Sequence, residues 1–359
     1  MNYKEIFEKS YRDKKVLLTG HTGFKGSWLL TWLHQLGANV KGYALAPEND
    51  NDLYRLIDGD CLCHSLIAEI RDKEKVKEAI LSFEPDFIFH LAAQPLVRQS
   101  YKEPLDTFEV NVIGTANVLD ALRELNRSCS VIMITTDKVY ENIDQHYAYK
   151  EDDKLGGYDP YSASKAAAEI VVSSYRNSFF NPTNFNDHRK VIASARAGNV
   201  IGGGDRAKDR IIPDIIRGIE KNEGVIVRNS QSVRPWQFVL EPLSGYLLLG
   251  AKMLEQPALF SGAWNLGPHT KDVLTVQEVV EKAIAVFGKG SYSTPMQTGA
   301  PHEANLLQLD IAKSRQQLGW EPKLSSAEAI EWTMQWYRDS VNTPPIELTK
   351  QQINKYQQL

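Results

Sequence analysis

Apolar residues along this chain follow two alternating patterns, short continuous runs and longer stretches with an apolar residue at every third or fourth position. The runs are rich in Val, Ile and Leu, and the longer stretches have the period of amphipathic helices. The runs predict strands over residues 16–19, 40–45, 62–66, 86–90, 130–135 and 191–196. The stretches predict helices over residues 23–36, 72–83, 108–125 and 161–175, the second of them capped by Asp72.

Strands that alternate with helices predict an α/β fold, a Rossmann-type doubly wound parallel sheet with helices on both faces. The pattern changes after Gly198, where three consecutive glycines open a glycine-rich, charged stretch. We therefore expect a large lobe and a smaller, mixed α/β C-terminal lobe. The large lobe covers 1–197, with 237–264 returning to it as strands, and the small lobe covers 198–236 and 265–359. The polar segment after Ser340 is expected to form a terminal helix or a loose tail.

Composition and charge narrow the classes of function. The chain has 359 residues, of which 42% are hydrophobic and 24% charged, values typical of a globular protein. A net charge of -4 gives no general attraction to nucleic acid or to anionic membranes. The N-terminal segment has no apolar signal core, and no apolar stretch approaches the length of a membrane span, so we expect a soluble cytoplasmic protein.

The three cysteines do not form the pattern of a disulfide framework. Cys61 and Cys63, with His64 beside them, are an alternative metal site, but no second pair of ligands accompanies them. Thiols in a reducing cytoplasm are the favoured interpretation, and we predict no metal.

Three glycines, Gly20, Gly23 and Gly26, follow the first predicted strand. At a strand-to-helix turn, the first glycine allows a sharp turn, the second leaves room for a pyrophosphate, and the third lets the helix pack closely on the strand. The N terminus of the helix adds free N–H groups and a positive dipole. The pattern predicts a dinucleotide site formed by these glycines and the other loop residues, Thr22, Phe24 and Lys25.

The acidic residue that usually ends the second strand and binds the adenosine ribose is missing. Residues 42–47 contain no carboxylate, although Glu48 and Asp50 lie a little beyond them. No arginine is present there to bind a 2′-phosphate, and Lys25 and Lys41 leave the choice between NAD and NADP open. We favour NAD, held more weakly than usual.

Tyr161 and Lys165 are four residues apart on a predicted helix, so both side chains project from one face. A lysine ammonium and an oxidised nicotinamide both stabilise a phenolate, and together they lower the tyrosine pKa from about 10 toward neutrality. Tyr161 is then a base that takes the proton of a sugar hydroxyl while hydride leaves the same carbon.

The chain resembles a known family, the extended short-chain dehydrogenases/reductases, which include nucleotide-sugar epimerases and dehydratases. The resemblance covers residues 14–338, and its blocks are the glycine loop, residues 90–94, 111–115, Tyr161 with Lys165, 196–200 and 234–239. It implies NAD in the large lobe and a sugar nucleotide in the small lobe. It also implies a homodimer, or a dimer of dimers, through the helices at 108–125 and 161–175.

Thr136, Asp137 and Lys138 indicate the branch of the family. Nucleotide-sugar 4,6-dehydratases carry Thr-Asp-Glu at this place, in which Asp protonates the leaving hydroxyl and Glu removes the C5 proton. This chain has Lys138 instead of that Glu. The Asp-Lys pair and residues 21–28 are similar to the dehydratases that act on CDP-glucose in deoxysugar (O-antigen type) biosynthesis. The preference for cytidine rests on this resemblance alone.

The resemblance implies roles for these residues. Tyr161 takes the 4-hydroxyl proton, Thr136 holds that hydroxyl, and Asp137 protonates the departing 6-hydroxyl. NAD removes hydride from C4 and returns it to C6, so the enzyme is a hydro-lyase that uses redox chemistry internally. Lys138 is the favoured C5 base, although an ordinary lysine pKa of about 10.4 has to fall by about three for that role. The alternative is a charged Lys138 that stabilises the enolate.

Further residues complete the predicted site. The resemblance assigns Asp72, Ala92 and Ala93 to the cofactor. A diphosphate calls for cationic donors, so Arg234, Arg210 and His302 are predicted substrate contacts. The family pattern assigns Asn199 to the diphosphate or the ribose. Gln94 and Arg98 lie after a strand end and are expected to touch the hexose or to close the site. Two other functions remain open: a C4 epimerase, which needs no acid at Asp137, and a non-catalytic NAD-binding protein, which needs none of the proton-transfer groups.

Overall fold

The computed structural model of the chain describes residues 3–143, 145–227, 230–294 and 307–359. Its α-helices, in chain order, are α1 Tyr3–Tyr11, α2 Phe24–Gln35, α3 Leu53–Leu56, α4 Lys73–Phe83, α5 Val97–Lys102, α6 Pro104–Phe108, α7 Gly114–Ala121, α8 Pro160–Ser178, α9 Phe185–His188, α10 Ile211–Lys221, α11 Leu240–Glu255, α12 Pro257–Phe260, α13 Val276–Phe287, α14 Ser326–Asp339 and α15 Pro345–Gln357.

The strands are β1 Lys15–Thr19, β2 Asn39–Ala44, β3 His64–Ile67, β4 Phe87–His90, β5 Cys129–Ile134, β6 Ala148–Tyr149, β7 Lys190–Ala197, β8 Asn199–Ile201, β9 Val225–Ile226, β10 Val233–Arg234, β11 Trp236–Phe238, β12 Gly262–Leu266, β13 Leu274–Thr275, β14 Tyr292–Ser293 and β15 Gln308–Leu309. Seven of them form one parallel sheet in the order β12-β7-β5-β4-β1-β2-β3.

The central sheet is buried on both faces, as expected for a parallel sheet. Successive residues of β1 alternate between two apolar cores: Leu17 belongs to one, and Val16 and Leu18 belong to the other. After β1 the chain forms β2 next to one edge of β1, and it later forms β4 next to the other edge. Strand order therefore reverses between β1 and β4, and ligands of such sheets bind outside the carboxyl ends of strands at this reversal.

The predicted Rossmann-type sheet is confirmed, and three predicted elements differ in detail. The third strand begins at His64 rather than at residue 62. The helix predicted at 108–125 begins at Pro104 and ends at Ala121, and a π-helical turn, Glu109–Ile113, lies inside it. Residues 237–239 do not rejoin the central sheet, because β11 pairs with β8 in a separate two-stranded sheet, whereas β12 does return and pairs with β7.

Both ends of the chain pack against the large lobe. Trp32 on α2 contacts the ring of Phe7 on α1 and the ring of Tyr356 on α15. The ammonium of Lys323 lies 4.3 Å from the ring centre of Tyr3 and 5.5 Å from that of Tyr356. The segment after Ser340 is thus a packed helix, which contacts both α2 and α14.

A buried carboxylate, Glu241 at the start of α11, ties these parts together. It accepts hydrogen bonds from the backbone N–H groups of Lys323 and Leu324 and from the Tyr356 hydroxyl, at 2.7–3.1 Å. Burial raises the pKa of Glu241 to about 7.

Candidate active site

A cleft of about 1330 Å³ lies at the carboxyl ends of β1, β4 and β5 and extends between the two lobes. It is lined by the glycine loop, by Ala92 and Ala93 after β4, by residues 134–138 after β5, and by the start of α8. Residues 197–201 and 204–214 line its other wall. The predicted dinucleotide, proton-transfer and acid/base groups therefore share one cavity.

The glycine loop has the geometry expected of a dinucleotide site. Gly20 has a φ of +75°, and a Cβ there would lie 2.8 Å from the backbone nitrogen of Ala92. A Cβ on Gly26 would collide with the carbonyl oxygen of Gly20. Gly23 is exposed to the cleft, and a Cβ there would meet only that carbonyl, at 3.4 Å. The backbone of Gly23 is thus open to a pyrophosphate, so these residues fit the predicted cofactor.

The end of β2 offers no carboxylate to the cleft. Leu45 lies there with 59% of its surface exposed, and its carbonyl oxygen accepts a hydrogen bond from the Thr22 hydroxyl at 2.9 Å. Glu48 lines the cleft farther along. The Lys41 ammonium is directed elsewhere, to Ala79 and Ser82, so Lys41 has no part in the choice between NAD and NADP.

Asp72, predicted to contact the cofactor, does not line the cleft. Its carboxylate accepts from the backbone N–H of Lys75 and caps α4, which confirms the predicted cap, while its contact with the cofactor stays a prediction. Glu69 and Ile70, three and two residues earlier, line the cleft instead. Their position just after β3 is a signal that the sequence contained, because ligands collect at the carboxyl ends of parallel strands.

Tyr161 and Lys165 lie on α8 and are both buried. The Lys165 ammonium donates to the carbonyl of Ile134 at 3.3 Å, and burial lowers its pKa to about 8. Burial raises the pKa of Tyr161 to about 12, while a hydrogen bond with Thr136 and the charge of Arg210 act in the opposite sense. The predicted fall of the Tyr161 pKa toward neutrality therefore requires positive charge beyond that of Lys165.

A buried ion pair behind Lys165 fixes α8 against the sheet. The Glu169 carboxylate on α8 accepts two hydrogen bonds from the Arg196 guanidinium on β7, at 2.9 and 3.0 Å, and another from Thr135 at 2.6 Å. Arg196 also donates to the hydroxyl of Tyr140 at 2.8 Å. Sequence reasoning gave Glu169 no role, although an acidic residue four positions after Lys165 falls on the same helix face.

Asp137 is buried at the end of β5 beside the proton-transfer pair. Its Oδ1 atom accepts from the Thr136 hydroxyl at 2.9 Å and lies 3.8 Å from the Lys138 ammonium. Gly198 leaves space for this carboxylate, because a Cβ there would lie 2.8 Å from Asp137 Oδ2. Lys138 is about a third exposed and lines the cleft, so it is accessible to a bound ligand.

Lys25 lies deeper in the cleft than the glycine pattern indicated. Burial, together with the positive charges of Arg210 and Lys165, lowers its pKa to about 7, and the charge of Asp137 opposes this effect. Lys25 therefore lies among the catalytic candidates as well as in the dinucleotide loop.

Asn111, inside the π-helical turn, joins the loop after β4 to α8. Its side-chain oxygen accepts from the backbone N–H of Gln94 at 2.9 Å, and its amide nitrogen donates to Ser164 at 2.8 Å. The Gln94 side chain donates to Thr107 and accepts from Leu96, and Gln94 does not line the cleft. The Gln94 side chain thus holds the loop in this structure, and its contact with the hexose or its role in closing the site stays a prediction.

The remaining predicted substrate residues fall into two groups. Arg98, Asn199, Arg210 and Arg234 line the cleft. Arg98 forms an ion pair with Asp209 at 3.3 Å, and Arg210 forms one with Asp205 at 3.1 Å. His302 lies outside the described residues.

Metal-binding groups and membrane-spanning helices were both considered in the described part of the chain. No group of three or more His, Cys, Asp or Glu side chains there is arranged to hold a metal ion. None of the helices in that part combines the length and the apolar character that crossing a membrane requires.

Comparison with known proteins gives one family. A model of the family described as GDP-mannose 4,6 dehydratase matches residues 17–333. CDP-glucose 4,6-dehydratase of Salmonella typhimurium is 45% identical over 352 residues, which cover 98% of each chain. CDP-paratose 2-epimerase of Salmonella typhi is 26% identical, with 90% of this chain and 98% of that protein covered.

Solved structures agree with this result at the level of the fold. dTDP-glucose 4,6-dehydratase from Streptomyces venezuelae, solved with NAD bound, has a TM-score of 0.76 at 22% identity and covers 90% of this chain and 97% of its own. UDP-glucose 4-epimerase from Thermus thermophilus, also in complex with NAD, has a TM-score of 0.75 at 25% identity, with 92% and 100% covered. The family match spans most of this chain, and so the chain belongs to the GDP-mannose 4,6 dehydratase family, among the Rossmann-type epimerases and dehydratases of nucleotide sugars.

Proposed function

We propose that this protein is an NAD-dependent hydro-lyase that converts CDP-glucose into CDP-4-dehydro-6-deoxy-glucose and water. The observation that carries the proposal is the presence of Asp137 and Lys138 in the same cleft as Tyr161 and Lys165, in the order of a 4,6-dehydratase. The choice of CDP-glucose rests on the Salmonella typhimurium relative. The product would serve deoxysugar biosynthesis of the O-antigen type, and we place the reaction in the cytoplasm.

The glycine loop, Ala92 and Lys165 would hold NAD, and Tyr161 would face the hexose. When bound, NAD supplies a hydride acceptor for C4 and a hydride donor for C6. Tyr161 takes the proton of the 4-hydroxyl, and Thr136, bonded to both Tyr161 and Asp137, orients that hydroxyl. The resulting 4-ketone acidifies the hydrogen at C5.

Elimination then requires an acid and a base. Asp137 is buried in the cleft beside Thr136 and is the acid that gives a proton to the departing 6-hydroxyl, so that water leaves. Lys138 removes the C5 proton or stabilises the enolate as a cation. A proton returns to C5 at the end, so atoms and electrons balance with one water as the only by-product.

The test is product analysis with the purified protein, CDP-glucose and NAD. A dehydratase gives a 4-keto-6-deoxy sugar, seen by its absorbance in alkali, and deuterium placed at C4 appears at C6. A C4 epimerase gives CDP-galactose instead, and a non-catalytic NAD-binding protein leaves the substrate unchanged. Parallel reactions with UDP-glucose and dTDP-glucose test the nucleotide.

We also propose that the protein is a homodimer, or a dimer of dimers, through α6–α7 and α8. Large apolar side chains on these helices are exposed to solvent, among them Leu105, Ile113 and Ile170, each more than half exposed. Exposed apolar side chains on adjacent helices favour a protein interface. Sedimentation of the wild type and of an Ile113→Asp, Ile170→Asp variant tests this: a monomeric wild type contradicts it.

A further inference from the structure

The stretch from Gly202 to Arg210, whose residues from Gly204 onward line the cleft, is held far more firmly than its three glycines suggest. The indole of Trp28, on the helix of the dinucleotide loop, donates to the carbonyl of Gly203 at 2.9 Å. A Cβ on Gly203 would collide with the ring of Trp336, so only glycine fits between them.

The carbonyls that follow are also bonded by side chains. The Tyr337 hydroxyl donates to the carbonyl of Asp205 at 2.6 Å. The Arg217 guanidinium donates to the carbonyls of Arg206 and Ala207 at 3.0 and 3.2 Å. Four carbonyls in five residues are thus fixed by groups from three helices, and such a segment holds its side chains in fixed positions.

Asp205 is the centre of this segment, and its carboxylate is buried with only 3% of the residue exposed. One oxygen accepts from the backbone N–H of Ala207 at 3.0 Å, and the other accepts from the Arg210 guanidinium at 3.1 Å. A charge-assisted bond to a buried, fixed carboxylate fixes the position of a guanidinium.

Arg210 lines the same cleft as Tyr161 and Lys25, and its positive charge lowers the pKa of both groups. Besides Arg210, the titratable groups that face Tyr161 in the described structure are Asp137, Asp159 and Tyr246, with Lys165 one turn along α8 and Lys25 beside Lys165. The negative charges of Asp137 and Asp159 disfavour the phenolate form of Tyr161, so a fixed cation on the substrate side of the cleft helps to stabilise it.

We propose that Asp205 is a positioning residue of the reaction, which holds the Arg210 guanidinium beside Tyr161 so that the phenolate forms when the 4-hydroxyl gives up its proton. The proposal rests on the proposed function, since it concerns the same proton transfer. Asp205 acts through Arg210, to which its carboxylate is bonded.

The experiment measures the pH profile of kcat/KM for Asp205→Asn, Arg210→Met and the double variant, with the ketosugar as the product. If Asp205 positions Arg210, the limb of the pH profile that reports deprotonation of Tyr161 moves about one pH unit higher in Asp205→Asn, because the Arg210 guanidinium is no longer held in place. At neutral pH, kcat/KM then falls about tenfold. The same shift is expected in Arg210→Met, and the double variant shows no further shift.

Two outcomes overturn the proposal. If the limb moves to lower pH, Asp205 only screens a guanidinium that stays in place without it. If the limb stays where it is while Tm and kcat fall, Asp205 supports only the fold. Glu220→Gln, which removes the charge of an exposed carboxylate paired with Arg206 at 2.7 Å, is the control for the loss of one negative charge from this region and keeps the wild-type limb. A wild type that forms no ketosugar contradicts the proposed function instead.

Discussion

Burial shifts the pKa values of the proton-transfer pair, Tyr161 and Lys165, in opposite directions. It lowers the pKa of Lys165 to about 8 and raises that of Tyr161 to about 12, so in both cases it favours the neutral side chain. The pair is therefore a poor base until further positive charge approaches it. The positively charged nicotinamide ring of NAD and the fixed guanidinium of Arg210 would supply that charge. Proton removal by Tyr161 therefore depends on correctly bound ligands.

The role of Lys138 can be decided by hydrogen exchange at C5. If Lys138 is the base, Lys138→Met still oxidises C4, but C5 no longer exchanges its hydrogen with deuterated solvent and no water is lost. The reason is that the methionine side chain cannot take a proton at the position of Lys138. Mass spectrometry and NMR of the recovered sugar measure the exchange.

Persistent C5 exchange in Lys138→Met would show that the lysine acts only as a cation. Lys138→Arg then separates the roles further, because arginine keeps the charge and does not lose its proton. Lys154→Met serves as the control, since Lys154 is a well exposed lysine paired with Glu141, outside the cleft lining.

We expect NAD to be held weakly at its adenosine end, because Leu45 stands at the end of β2 and offers the ribose no carboxylate. Leu45→Asp places a carboxylate at the end of β2, where it can accept hydrogen bonds from the ribose hydroxyls. A hydrogen bond to a charged group contributes about 1.5–3 kcal/mol, so we expect NAD to bind at least about tenfold more tightly. Calorimetric titration measures the change, with Leu45→Asn as the uncharged control. An unchanged Kd would mean that Glu48 or Glu69 already binds the ribose.

At the scale of elements, irregular turns place the functional groups. The π-helical turn at Glu109–Ile113 turns Asn111 toward both the loop after β4 and α8. Such turns often occur at functional sites because they redirect one side chain without ending the helix. At the start of α11, Glu241 similarly connects three segments that are distant in sequence.

Glu241 predicts a pH dependence of stability. Its pKa rises from 4.5 in the unfolded chain to about 7 in the folded chain, so the folded chain binds the proton more tightly. Its contribution to the free energy of unfolding is therefore complete below the unfolded value and is lost as the pH rises through 7, a change of roughly 3 kcal/mol.

Urea unfolding at about pH 5 and pH 8 checks this, with the wild type compared with Glu241→Gln. The difference in free energy of unfolding between the two proteins should change with pH in that window. Glu331→Gln, on the exposed face of α14, controls for the loss of one charge. An equal difference at both pH values would contradict the assignment.

At the scale of the whole molecule, an ion pair joins the lobes across the mouth of the cleft. Arg98 on α5 lies 3.3 Å from Asp209, which has a φ of +60°, a conformation uncommon for a residue other than glycine. Both side chains are partly exposed, so the pair contributes less than about 1 kcal/mol to stability. We expect the pair instead to hold the two lobes in a fixed relative position.

An exchange of the two charges tests that effect. Arg98→Asp and Asp209→Arg should each raise KM by up to about fivefold, the equivalent of 1 kcal/mol, and the double exchange should restore most of it. Steady-state kinetics with CDP-glucose measures KM. If the double variant is as weak as Arg98→Asp, the guanidinium binds the substrate directly, as the sequence predicted.

The periodicity of the chain was enough to predict the sheet, because buried parallel strands and amphipathic helices leave a strong local pattern. The glycine loop and the Tyr161–Lys165 pair were predictable for the same reason, since each lies within a few residues. The roles of Gln94 and Glu169 were not, because they depend on which partner the fold brings from elsewhere. The pairing of β11 with β8 is equally non-local, and no run of apolar residues indicates it.

The contacts of Lys323 with Tyr3 and Tyr356 bring the first and last helices of the chain side by side. Neighbouring ends favour circular permutation. A short flexible peptide would join them without crossing the cleft, and new ends could then be opened in an exposed surface turn such as the one at Arg123–Glu124. Tags and fusion partners could thereby be moved to a different side of the molecule, with the catalytic cleft left in one uninterrupted piece.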